Sequence, residues 1–128
     1  MIITHHGKQF FKLQTGDRVI ALNPIAKESK FKTSGFGADV ALITTNHPDY
    51  NGSETVSYGD RVPFIMSGPG EYELSGIIFR GYGSKGTDGK KDLSNAIYYF
   101  EFDGIKICFL GALYEGTLST EAREAIDD

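Results

Sequence analysis

"VALITTNHPDYNG", residues 40–52, carries the reading of this chain. Val40–Ile43 is apolar with no polar alternation, the composition of a strand buried on both faces. The segment after it is polar and turn-rich, with His47, Pro48 and Asp49 followed by Asn51-Gly52. A hydrolytic zinc centre needs at least three His, Asp or Cys donors and an open position for water. His47 and Asp49 supply two. Thr45 and Tyr50 are poor zinc ligands, and Asn46 is a weak one. The same residues also make sense as a strand-ending loop. His47 and Asp49 would bond to the backbone, Pro48 would stiffen it, and Asn51-Gly52 would turn it. The stretch alone leaves both readings open.

Around it the chain reads as short strands and tight turns. The first half predicts strands over 1–6, 9–13, 18–22 and 39–44, with Thr15-Gly16-Asp17 as a turn and Asn23-Pro24 closing a hairpin. Residues 27–37 and 83–92 are rich in lysine and glycine and read as exposed loops. Further strands are expected over 61–67, 71–74, 77–82, 95–102 and 105–110. Ser75-Gly76 and Asp103-Gly104 serve as hairpin turns, the second favouring type I′. Only the C-terminus has helical spacing, with Leu118, Ala122, Ala125 and Ile126 on one face and Ser119 as N-cap. Asp127 and Asp128 end that helix against its dipole, as if an architecture would continue beyond it.

At 128 residues the chain is read as one domain, 1–128, long enough for a real core. A net charge of -4 argues against a nucleic-acid binder, since those show a basic excess. No apolar run reaches membrane-spanning length, and no signal peptide is visible, so no membrane partner is expected. A single cysteine excludes an internal disulfide framework and fits the cytoplasm. With Ile107 and Phe109 beside it, Cys108 reads as a buried structural thiol.

Two suggestive patterns are set aside. Residues 81–86, "GYGSKG", fit G-x-G-x-x-G, but no helix follows to present its N–H groups to a pyrophosphate. His5-His6 sits in the first strand, where neighbours point to opposite faces. One is expected inward and one outward, sharing no metal.

The order of segments resembles the N-terminal part of the metallo-β-lactamase superfamily, in its Zn-dependent hydrolase branch. "IITHHGKQFFKL" (2–13), "GDRVIALNPI" (16–25), "GADVALITTNHPDYNG" (37–52), "SGPGEYELSGIIFRGY" (67–82) and "NAIYYFEFDGIKICFLGAL" (95–113) carry the resemblance. The resemblance implies a mostly β, α+β fold: one mixed or antiparallel sheet with a C-terminal helix, forming half of an αββα sandwich. It also implies a stripped site. In the H-x-H-x-D-H signature the first histidine falls on Thr45 and the third on Tyr50, while the second and the aspartate are kept as His47 and Asp49. The histidine after the opening glycine falls on Lys8, and the bridging aspartate on Ala112. His47 and Asp49 would serve different metals, and one ligand per metal does not hold zinc.

The expectation is therefore a non-catalytic association or scaffold module with no catalytic residues and no cofactor. The alternatives are a metal-dependent hydrolase whose zinc site a second chain or segment completes, and a small-ligand binder using the old cleft. Phe10, Phe11, Phe64, Phe79, Phe100, Phe102 and Phe109 are more aromatic surface than one short helix covers. That predicts a homodimer packed inner sheet face on inner sheet face, or a second half-domain partner.

Overall fold

The structure, a computed structural model, describes residues 1–87, 89–113 and 124. Its first sheet has the order β1 (Ile2–His5), β2 (Phe11–Thr15), β3 (Arg18–Leu22), β4 (Val40–Leu42), β5 (Phe64–Met66). The β1–β2 and β2–β3 pairs are antiparallel, and β3–β4 and β4–β5 are parallel. Parallel neighbours need crossovers, and residues 23–39 and 43–63 supply them. The second sheet is an antiparallel meander of β6 (Gly70–Leu74), β7 (Ile77–Thr87), β8 (Asp92–Phe102) and β9 (Ile105–Phe109).

The apolar runs of β3 and β4 follow from burial on both faces. Ile20, Leu22, Val40 and Leu42 face the second sheet and meet Phe79, Tyr98, Phe100 and Phe102. Val19, Ala21 and Ala41 face the other way, onto Phe10 from the β1–β2 turn and Ile25, Ala38 and Val56 from the crossovers. Only small side chains sit on that second face of Ala21 and Ala41, so the crossover chain lies close against the sheet.

Two expectations are corrected here. The chain forms two sheets facing each other, not one, because the Gly68-Pro69 turn sends the second half of the strands across the core. Tyr98 clamps that turn. Its hydroxyl accepts from the Gly68 N–H at 2.8 Å and lies 2.9 Å from the Ile43 carbonyl and 3.1 Å from that of Met66. Burial pushes this phenol up to about 12, so it stays a donor throughout the ordinary pH range. The facing sheets also cover most of those phenylalanines: Phe79, Phe100, Phe102 and Phe109 are buried between them, Phe10 is buried on the other face of the first sheet, Phe11 is half-buried and Phe64 is exposed. The premise of a bare aromatic face does not hold among the described residues.

Residues 83–92 are also corrected. β7 and β8 pair as far as Thr87↔Asp92, so Gly83–Thr87 is strand rather than loop. The glycine motif at 81–86 thus lies inside a strand, with no helix after it. Residues 27–37 form no strand, as expected. They are nevertheless docked in part, with Ser29 buried and the Phe36 N–H donating to the Thr55 carbonyl. Cys108 lies exposed on β9, not buried. The histidine pair divides as expected, His5 stacked on Phe11 in the open and His6 packed against Phe10 and Phe36. Both glycine hairpins have positive φ at each central residue (Ser75-Gly76 and Asp103-Gly104), as type I′ requires. The expected C-terminal helix over 118–126 lies outside the described residues, apart from Glu124, which is helical.

Just before the start of β4, Asp39 ties three segments together. Its carboxylate accepts from the Val19 N–H at 2.8 Å and from Arg61 at 3.0 and 2.7 Å. Partial burial favours the neutral acid, but the Arg61 and Val19 hydrogen bonds outweigh it and hold Asp39 below its usual range. A lowered folded-state value means stability that is complete above the unfolded value of about 3.9 and lost as pH falls through the folded one. Both side chains are over a third exposed, so solvent screening keeps the pair small. Arg61→Met is expected to cost about 0.5–1 kcal/mol at neutral pH. In urea titrations the difference from the parent should shrink below pH ~4; a constant difference down to pH ~2 would contradict the pairing.

Candidate functional site

The chain turns polar where β4 ends, and the ends of β4 and β5 open into a cleft of about 710 Å³. Asn23 sets the depth of its floor. This buried residue adopts positive φ directly after β3, which only Gly, Asn and Asp do readily. Its side chain accepts from the Thr44 N–H at 2.8 Å and donates to the Thr44 hydroxyl at 2.9 Å, locking the ends of β3 and β4 together.

Beyond Thr44 the loop folds back on the 24–26 segment. The Ala26 N–H donates to the Pro48 carbonyl and the Gly52 N–H to the Pro24 carbonyl. Gly52 is therefore a close-approach glycine rather than the turn residue the sequence suggested. A Cβ there would lie 2.4 Å from the Ala26 nitrogen. Held this way, the loop turns His47, Asp49 and Tyr50 toward Lys8, which projects from the Gly7-Lys8 turn between β1 and β2.

These four residues form one cluster. The Lys8 ammonium is 3.9 Å from Asp49 Oδ2 and 4.6 Å above the Phe31 ring. Asp49 Oδ1 accepts from the Ser29 hydroxyl at 2.6 Å. His47 Nδ1 accepts from the Asp49 N–H at 3.1 Å, which in the neutral ring leaves the proton on Nε2. Tyr50 is buried, with its ring 5.6 Å from that of His47. The arrangement puts a cation where a metal would need a donor, and it occupies one lone pair of His47 and one oxygen of Asp49.

Thr45 and Ala112 meet on β8. The Thr45 hydroxyl donates to the Ser94 carbonyl at 2.6 Å, and the Ala112 N–H donates to Asn95 Oδ1 at 3.0 Å. Asn95 also donates to the Ser84 hydroxyl and the Leu110 carbonyl, both at 2.9 Å. Gly111, at positive φ, allows the chain to pass against Thr44. The family-signature positions thus fall into two groups, Lys8 with His47, Asp49 and Tyr50, and Thr45 with Ala112 along β8, linked by residues 45–50. Ser29, Asn23 and Asn95, which organise that end, were not singled out. The signal for Asn23 lay in an Asn-Pro pair directly after a strand, and Ser29 and Asn95 had none.

Residues 2–128 match the beta-lactamase superfamily domain, and the chain belongs to that family. It is similar to a proposed Zn-dependent hydrolase of the metallo-β-lactamase superfamily from Thermotoga maritima, with 24% identity and a TM-score of 0.68 over 95% of this chain and 55% of that one. It is also similar to a proposed metal-dependent hydrolase from Veillonella parvula, with 14% identity and a TM-score of 0.63 over 97% of this chain and 66% of that one. At these identities the likeness is one of fold, and the chain spans between half and two thirds of either structure. No curated protein matches it.

The zinc that these names imply does not fit the residues present. Among the described residues no three His, Cys, Asp or Glu side chains come together as a ligand group. Lys8 and Ala112 offer no donor to a cation, and the Thr45 hydroxyl is committed to Ser94.

Proposed function

We propose that this chain is a non-catalytic member of the family that acts by association, first of all with a second copy of itself. The observation that carries the reading is the Lys8–Asp49 pair. An ammonium beside the remaining carboxylate supplies part of the countercharge that a metal would bring, and it disfavours a metal at that position. The reading is supported by the edge strand β5 and the residues before it, where Tyr58, Val62, Phe64 and Ile65 are exposed. No charged residue lies between Val62 and Gly70, whereas β6 and β9 carry Glu71, Glu73 and Lys106. Uncharged apolar edges are the ones that recruit another chain. The lone cysteine and the lack of any described helix long and apolar enough to cross a membrane agree with a cytoplasmic setting.

The second reading, a metal-dependent hydrolase completed by another chain or half-domain, draws on His47 and Asp49 being kept and on the names of the two similar structures. Sedimentation velocity at micromolar concentration, in chelator and in added zinc, separates the two. The association reading predicts the same dimerisation in both buffers. Assembly that appears only with zinc would favour a metal shared between chains. A monomer in both would overturn self-association and leave a separate half-domain as the partner.

A further inference from the structure

We propose that the cleft beyond β4 and β5 binds a small uncharged ligand of nucleoside size, held by amide and hydroxyl side chains without a metal. Its volume of about 710 Å³ lies inside the range of small-molecule sites, ~300–1,000 Å³. It opens past the C-terminal ends of two parallel strands, where open α/β-type sheets place their ligands.

The lining determines the ligand class. Apolar surface comes from Ile43, Ile65 and Pro69, and no ionisable side chain lines the cleft among the described residues. A charged ligand would lose hydration on entry and meet no countercharge, which is costly. An uncharged one finds a built pattern. Asn51 and Asn46 are joined by a 2.9 Å amide–amide hydrogen bond. Whichever way the two amides are turned, one acceptor and donor N–H groups remain unused side by side. That is the complement of an amide, an imide or the edge of a nucleobase. Across the cleft, Ser84 accepts from Asn95, so its own proton is left to donate.

The walls are also prepared in advance. Thr45 is bonded to Ser94, and Asn95 is bonded to the Ala112 N–H and the Leu110 carbonyl, so binding need not order them. The inference goes beyond association. It shares with that reading the missing metal, which a separate metal assay tests, and Ile65, which belongs both to the β5 edge and to the cleft wall.

The test is amide-resolved NMR of the nitrogen-labelled full chain, titrated with thymidine and N-acetylglucosamine and with their charged counterparts, thymidine monophosphate and N-acetylglucosamine 6-phosphate. The expected result is saturable shifts at residues 43–46, 65–69, 83–84 and 94–96 with at least one neutral probe. That probe should bind about ten-fold or more tightly than its charged counterpart. Asn46→Leu, at an exposed position that leaves the fold intact, should weaken binding by about ten-fold. No saturable shift from either neutral probe up to ~10 mM, a free energy of only about 3 kcal/mol, would overturn the proposal. So would equal binding of the charged probes, shifts elsewhere on the chain, or indifference to Asn46→Leu.

Discussion

Phe100→Ala is expected to lower the unfolding free energy by about 3–5 kcal/mol. Phe100 stands near the C-terminal end of β8, is 1% exposed, and packs its ring 5.0 Å from that of Phe79. It is part of the layer where Ile20, Leu22, Val40 and Leu42 of the first sheet meet the second. Truncation removes the transfer free energy of the ring and leaves a cavity that strands pinned by hydrogen bonds on both sides cannot close. Domains of this size have about 5–15 kcal/mol in total, so the variant should be near the edge of folding at ambient temperature. Urea titration followed by circular dichroism measures it. A loss under ~1 kcal/mol, the size of a surface change, would mean that the sheets do not share this core and that the ring sits against something else. The inner-face dimer expected from the sequence is one such alternative.

Gly52→Ala is expected to be almost as damaging, about 3 kcal/mol, at the upper end of what overpacking usually costs. Its added Cβ would fall 2.4 Å from the Ala26 nitrogen, 2.5 Å from the Ala26 Cα and 2.5 Å from the Ile25 carbonyl carbon. All three are backbone atoms, so no rotamer change relieves the clash. The 45–52 loop must lift off the 24–26 segment, breaking the Gly52–Pro24 and Ala26–Pro48 hydrogen bonds. His47, Asp49 and Tyr50 move with it, and the Asn46–Asn51 pair loses its support. Thermal unfolding together with amide NMR reads both effects. A stable variant with unmoved resonances at residues 24–26 would show that the loop is not seated as described.

What the sequence revealed follows from how local each determinant is. The Asp103-Gly104 and Ser75-Gly76 hairpins were legible because a two-residue turn with positive φ twice is coded by its own two residues. The parallel strand β4 was legible because burial on both faces writes an unbroken apolar run. Gly83–Thr87 was not, since its glycines and lysine argue against a strand and it is held by distant partners, the facing Asp92–Ala96 segment of β8 and a bridge from Gly86 to Leu113. The division into two sheets was hidden as well. Every hairpin looks the same whether its neighbours lie beside it or across the core, and Tyr98 decides the matter from a distance of thirty residues. At the site, the family resemblance placed Lys8, Thr45, His47, Asp49, Tyr50 and Ala112 at one end of the fold. It gave no hint that Lys8 would approach Asp49 or that Asn95 would hold Ala112. Those are long-range contacts, set by packing rather than by any local pattern.

The absence of a metal centre is the central claim, and metal content tests it most directly. The full chain, produced in medium supplied with zinc, iron and manganese and purified without chelator, is dialysed and its metals counted by plasma mass spectrometry. With Lys8 against Asp49 and no third donor beside them among the described residues, the expected content is below about 0.1 transition metal per chain. Close to one metal per chain, lost on His47→Ala or Asp49→Ala, would contradict the account and restore the reading of a metal-dependent hydrolase.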